Sequence, residues 1–154
     1  MLVVSDTTAI TTLLKAGEAS LIEKLFGAVV IPEKVAEELL RFHPALPEWC
    51  VVKRVTNVTL QREISLTIDP GESEAICLAL ELKADAILLD DRKGRRVAEE
   101  RGLSCLSLPA ILLEARRQGL ITSLKEHVEI LALKGNYRLR ASALEALLKA
   151  CGEA

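Results

Sequence analysis

The chain has 154 residues and a formal net charge of −2, which suits one domain with a sizeable buried core. Half of the residues are apolar, yet Trp49, Tyr137, Phe26 and Phe42 are the only aromatics. The core is therefore aliphatic, and recognition by stacking bases on aromatic rings has almost no material here. No apolar run reaches the roughly 18 residues of a membrane span, and Met1 to Asp6 lacks the basic start and long apolar stretch of a signal peptide, so the chain reads as cytoplasmic.

The predicted elements alternate. Leu2 to Ser5 is a short apolar run, read as a buried strand that ends in Asp6. Thr7 to about Lys15 is helical, closed by Gly17, and a second helix runs from about Ala19 to Leu25, stopped at Gly27. Ala28 to Ile31 is a β-branched strand. Pro32 then opens a helix with Val35, Leu39 and Leu40 on its apolar face. His43 to Trp49, with Pro44 and Pro47, reads as a loop, and Val51 to Val55 as a short extended piece. Asn57 to Leu66 is read less clearly, as a helix. Asp69-Pro70-Gly71 breaks the chain before a strong helix from Glu72 to Leu82. Ala86 to Leu89 is a third strand running into Asp90 and Asp91. Arg92 to Arg101 is a basic helix, Leu103 to Leu106 a fourth strand, and helices follow over about Pro109 to Gln118, Ser123 to Leu133 and Ala141 to Ala150.

Strands alternating with helices predict an α/β fold with a parallel sheet. Right-handed crossovers bring the C-terminal ends of such strands to one edge, where ligand sites form. That turns scattered acids into a candidate site. Asp6 follows the first strand and Asp90-Asp91 the third; Glu37 and Glu38 lie in the helix after Pro32, and Glu72 and Glu74 open the helix after Gly71. Acids in a first helical turn also favour the helix dipole without any chemistry, and one of Glu37 and Glu38 suits a solvated face. Asp6 is harder to place without a cation, because a carboxylate next to a buried strand is costly to bury alone. Clustered carboxylates are hard oxygen donors, suited to Mg²⁺ or Mn²⁺; zinc is disfavoured because neither His43 nor His127 falls near them. Cys50, Cys77, Cys105 and Cys151 are widely spaced among apolar residues and form no CxxC pair, which predicts free thiols.

Charge is uneven along the chain. Residues 1–91 carry 8 Lys/Arg and 15 Asp/Glu, net −7, and residues 92–140 carry 11 and 5, net +6. An acidic stretch followed by a basic one fits a metal site beside a phosphate-binding surface, although solvated helix faces produce the same tally. Arg92, Lys93, Arg95 and Arg96 directly follow Asp91, within reach of the phosphates of a bound strand.

Four motifs carry a family resemblance: VVSDTT over Val3–Thr8, VIPxxVxxEL over Val30–Leu39, GExEA over Gly71–Ala75 and LLDDRxGR over Leu88–Arg95. In this order and spacing they resemble a PIN domain, of an uncharacterised, mainly prokaryotic branch related to the toxin ribonucleases of toxin–antitoxin pairs. The resemblance implies a three-layer fold with a central parallel sheet of about four to five short strands, over a single domain 1–154 whose helices from about Pro109 form an extension packed on the core. It implies catalytic acids at Asp6, Glu38, Glu72 and Asp91, with Glu74 and Asp90 as further metal ligands, and a metal-water-holding role for Thr8. Arg92, Arg95 and Arg96 become substrate-binding candidates. Leu89 stands where the family often has Thr, so the choice between Asp90 and Asp91 stays open, as does that between Glu72 and Glu74. The expected activity is hydrolysis of RNA phosphodiesters with Mg²⁺ or Mn²⁺. RNA, a small antitoxin protein and a second copy of the chain are the implied partners. Two competing readings remain: a catalytically silent PIN fold, and a receiver-like signalling module, which also gathers Asp residues at strand ends but needs a Lys after its last core strand, where this chain has Ser107-Leu108-Pro109.

Overall fold

Five strands are interleaved with nine helices along residues 1–153, the part of the chain that the computed structural model describes. The strands are β1 (Val3–Ser5), β2 (Val29–Pro32), β3 (Cys50–Lys53), β4 (Ala86–Leu88) and β5 (Cys105–Leu106). All pair in parallel, in the order β3-β2-β1-β4-β5. Sequence reading places three of them closely and takes Val51 to Val55 only as an extended piece. That piece starts at Cys50 and is the edge strand, paired with β2 from Val29↔Cys50 to Pro32↔Lys53, so Ala86–Leu88 is the fourth strand.

The helices are α1 (Thr7–Ala16), α2 (Ser20–Phe26), α3 (Glu33–Phe42), α4 (Val58–Ile64), α5 (Pro70–Leu82), α6 (Arg92–Glu100), α7 (Leu108–Arg117), α8 (Leu124–Lys134) and α9 (Ala141–Cys151). Side chains alternate across a strand, and here the alternation sorts residues into two cores. Val3, Val29, Ile31, Ala86 and Leu88 pack with α1, α2, α3, α7 and α8. Val4, Val30, Ile87 and Leu89 pack with α4, α5 and α6. The result is a three-layer α/β arrangement, and its strands are apolar on both faces, as a parallel sheet covered by helices demands. α9 packs on α7 and α8 and buries none of its own residues fully.

The four cysteines are free; Cys77 is buried and the others half-buried. Burial pushes the Cys50 and Cys77 thiols up to about 12, which keeps them protonated. No helix among the described residues is long and apolar enough to cross a membrane.

The strand order sets where a site can form. From the central β1 the chain crosses to β2 on one side and later returns to β4 on the other. The connections leave β1 and β4 in opposite directions, and beyond the carboxyl ends of two such strands is where open α/β sheets place their ligand sites. Asp6 and Asp90 sit at that point, and the Asp6 N–H donates to Leu88 O at 3.1 Å.

Candidate functional site

Three helices begin at this edge, each capped by an aspartate. Asp6 Oδ1 accepts from Ala9 N–H (3.2 Å) at the start of α1. Asp69 Oδ1 accepts from Glu72 N–H (2.8 Å) at the start of α5. Asp91 Oδ2 accepts from Gly94 N–H (2.9 Å) at the start of α6. Capping of this kind is a structural role, and Ser or Asn fills it as well. It accounts for one oxygen of each side chain and leaves the other.

Capping does not account for the burial of Asp6. Its side chain is 1% exposed, and Oδ2 is shut off from solvent with no donor to meet it. Burial raises its pKa to about 8, opposed by the Ala9 N–H and reinforced by the nearby charges of Glu72, Asp90 and Asp69. Glu38 and Glu72 cap nothing. Glu38, on α3, has an Oε1 that is closed off and without a partner. Burial, then the charge of Asp69, raises its pKa. The Thr7 hydroxyl stands near that carboxyl, yet no bond of normal geometry joins them, and Thr7 Oγ1 is itself without a partner. Glu72, in the first turn of α5, is raised to about 7 by burial and then by Asp69 and Asp91.

Two glycines make room for this crowding. A Cβ on Gly71 would stand 2.2 Å from Glu38 Oε1, and one on Gly94 would meet the Glu72 carboxyl at 3.4 Å. The glycines of GExEA and LLDDRxGR thus leave space for acids brought in from other elements.

The structure therefore brings Asp6, Glu38, Glu72, Asp90 and Asp91 to one edge, within range of one another's charge. It adds Asp69, which sequence reading treats only as a chain break. The missed signal is an Asp directly before Pro-Gly at a helix start, an N-cap pattern that puts its carboxylate beside Glu72. Asp90 also braces the following elements, for its Oδ1 accepts from Leu108 N–H (3.0 Å) and from the Tyr137 hydroxyl (3.2 Å).

Glu74 stands apart. It lies on α5 away from the cluster, its Oε1 accepts from Lys34 N–H at 3.4 Å, and the charges around it are Glu37, Glu33 and Lys34. Thr8 is exposed on the first turn of α1, while its neighbour Thr7 is the one beside Glu38. Arg92 and Arg96 lie towards solvent on α6, and Arg95 is half-buried with an Nε that meets no acceptor. His43 and His127 belong elsewhere: His43 Nε2 is 3.4 Å from Thr11 Oγ1, and His127 Nδ1 is 2.8 Å from Glu18.

A family model described as a PIN domain, DUF3368, matches residues 2–153. The chain belongs to the PIN-domain family. Comparison with curated proteins and with solved structures gives no match. PIN domains are generally nucleases and generally use divalent metal ions, so the fit of the acidic edge to such an ion matters. Among the described residues no three Asp, Glu, His or Cys side chains stand as a ready-made ligand shell. The donor chemistry nonetheless fits a hard cation: the leading charges on Asp6 are all negative, and two buried carboxylate oxygens, Asp6 Oδ2 and Glu38 Oε1, have nothing to bond to.

Proposed function

We propose that this PIN domain is a Mg²⁺- or Mn²⁺-dependent endoribonuclease. One observation carries the reading: a buried aspartate, Asp6, keeps an unpartnered oxygen in the middle of an acidic cluster. Burying such a group uncompensated costs stability, and a fold with no use for a cation gains nothing from it. Asp6, Glu38, Glu72 and Asp91 would hold the ion, with Asp69 and Asp90 adding negative charge around it. When bound, the ion would withdraw charge from a phosphodiester and make a nearby water acidic enough to attack it. The chain's own contribution is positional. Helix-start N–H groups fix Asp6, Asp69 and Asp91 in place, so their free oxygens are oriented before any ligand arrives. Arg92, Arg95 and Arg96 on α6 follow Asp91 directly and meet phosphates that flank the scissile one.

The test is incubation of a mixed RNA pool with Mg²⁺ or Mn²⁺, comparing the wild type with Asp6→Asn. Metal-dependent cleavage by the wild type alone is the expected result, and equal products from both proteins would remove the assignment. The toxin reading adds a small antitoxin partner and a homodimer; growth arrest on induction, relieved by a co-expressed neighbouring frame, checks the first, and light scattering the second.

The receiver-like alternative meets an obstacle in the sheet. Doubly wound receiver folds order their strands 2-1-3-4-5, whereas here β1 lies between β2 and β4.

A further inference from the structure

Asp90 marks the border between the acidic edge and a surface of opposite sign. It also lines a groove of about 520 Å³, together with Arg92 and Arg95 from α6 and Arg138 and Arg140 from the segment before α9. None of these four arginines takes part in an ion pair among the described residues. Arg95 also has an Nε hidden from solvent and without an acceptor. Against these four guanidiniums the lining sets one carboxylate, Asp90, whose Oδ1 is already taken by Leu108 N–H and the Tyr137 hydroxyl, so the groove keeps an excess of positive charge that an anion would balance.

The segment before α9 is built for display. Residues 136–140 have no helical or strand pairing, and burial alternates along them: Tyr137 and Leu139 are half-buried, while Arg138 and Arg140 face outward. Tyr137 and Leu139 pack against the larger core. Tyr137 is further fixed by its N–H to Leu131 O (3.0 Å) and by its hydroxyl to Asp90 Oδ1 (3.2 Å). α9 begins directly after Arg140, which supplies no side-chain cap. The first-turn residues Ser142 and Ala143 line the same groove, so uncapped N–H groups add to its positive potential.

We propose that this groove binds the sugar–phosphate backbone of single-stranded RNA as it leaves the acidic edge, with Arg138 and Arg140 as phosphate-binding residues. The proposal deepens the nuclease reading and rests on it for the identity of the strand. Guanidinium forks match phosphate oxygens two at a time. The groove is continuous with the acidic edge through Asp90, so a strand placed at the acids carries its next phosphates past the arginines. An acidic peptide fits less well, since Pro109, Leu139 and Ala143 are the only apolar lining residues available to anchor its side chains. The lining offers a single aromatic ring, Tyr137, so the backbone phosphates rather than stacked bases supply most of the recognition.

The experiment is fluorescence anisotropy with a labelled single-stranded RNA of mixed sequence, about 12 nucleotides long to cover one binding site of this kind, in EDTA, on the Asp6→Asn protein. Arg138→Gln/Arg140→Gln on that background is expected to weaken binding on the order of tenfold. It should also flatten the plot of log affinity against log salt by about 1.4, since each phosphate of a single strand that a cation neutralises adds roughly 0.7 to the slope. Arg138→Lys/Arg140→Lys should restore the salt slope, and Lys24→Gln, a charge removed from α2, should change neither quantity. A doubly substituted protein with parental melting temperature and circular dichroism that binds with unchanged affinity and slope would overturn the proposal. So would an oligo-glutamate of equal charge that binds as tightly as the RNA. The two readings fail separately: metal-dependent cleavage with arginine-independent binding defeats the groove and spares the nuclease, while arginine-dependent binding without any wild-type cleavage defeats the nuclease and spares the groove.

Discussion

At Asp6 one carboxylate oxygen holds the start of α1 and the other meets no donor. The folded, metal-free protein keeps its proton up to about pH 8, whereas the unfolded chain releases it near 3.8. Asp6 therefore contributes stability that is fully present below pH 3.8 and is lost as pH rises to about 8. Asp6→Asn keeps an acceptor for the Ala9 N–H and puts an amide where the orphaned oxygen was, facing Glu72, Asp90 and Asp69. In EDTA the variant should melt above the wild type, by a margin that widens from about pH 4 to about pH 8; a constant margin in thermal scans would contradict the burial argument. Gly71 offers a complementary test. A methyl there collides with Glu38 Oε1, the far end of a side chain that can swing aside, while Ala suits a helix better than Gly. Gly71→Ala is expected to change stability by less than about 1 kcal/mol yet to weaken Mn²⁺ binding roughly tenfold or more, as loss of the shell around a metal ligand does. Calorimetric titration separates the two effects.

Among the elements, those with strong periodicity and clear stops were legible in the sequence: α1, α3, α5 and the short apolar β1, β2 and β4. β3 was blurred because an edge strand needs no continuous apolar run, and Val51 to Lys53 are exposed. α5 begins at Pro70 rather than Glu72, since proline fits a helix's first turn even where it looks like a break. Asp6, Glu38, Glu72 and Asp91 stood out in the sequence because Asp6 and Asp91 come just after strands, Glu38 lies in the helix that follows β2, and Glu72 opens a helix after a sharp break. Arg138, Arg140 and Tyr137 could not, because their relation to Asp90 depends on how α8 and α9 return to the sheet, which local pattern does not encode. The same return produces a clasp. Glu153 accepts from Leu124 N–H (2.7 Å) and pairs with Arg116 (3.2 Å), so an acid after α9 stabilises the first turn of α8. The Leu124 N–H, ahead of the other partners, holds its pKa down to about 2. That contribution is present above about pH 4.5 and fades as pH falls towards 2. Glu153→Gln should speed hydrogen exchange at Leu124 and Lys125 at about pH 7, with the difference from wild type vanishing near about pH 2; unchanged exchange at neutral pH would show the clasp to be idle.

For the whole molecule, the acidic edge and the arginine groove make opposite demands on solution conditions. Divalent ions that bind only the folded state raise its stability by about 2.7 kcal/mol at a hundredfold excess over Kd, which for a chain of this size corresponds to roughly 5–10 °C. Mn²⁺ should therefore raise the melting temperature of the wild type, EDTA should reverse the rise, and Asp6→Asn should show little of it. A wild-type melting temperature indifferent to Mn²⁺ at millimolar concentration would mean that the acids do not act together. The sheet order has a consequence for biosynthesis. β1 leaves the ribosome first, but its partner β4 lies more than eighty residues later, with register Val3↔Ala86, and Asp91 follows still further on. A growing chain therefore cannot close the acidic edge until residues 86–91 have also emerged, so the nascent polypeptide carries no assembled cluster through the early part of its synthesis.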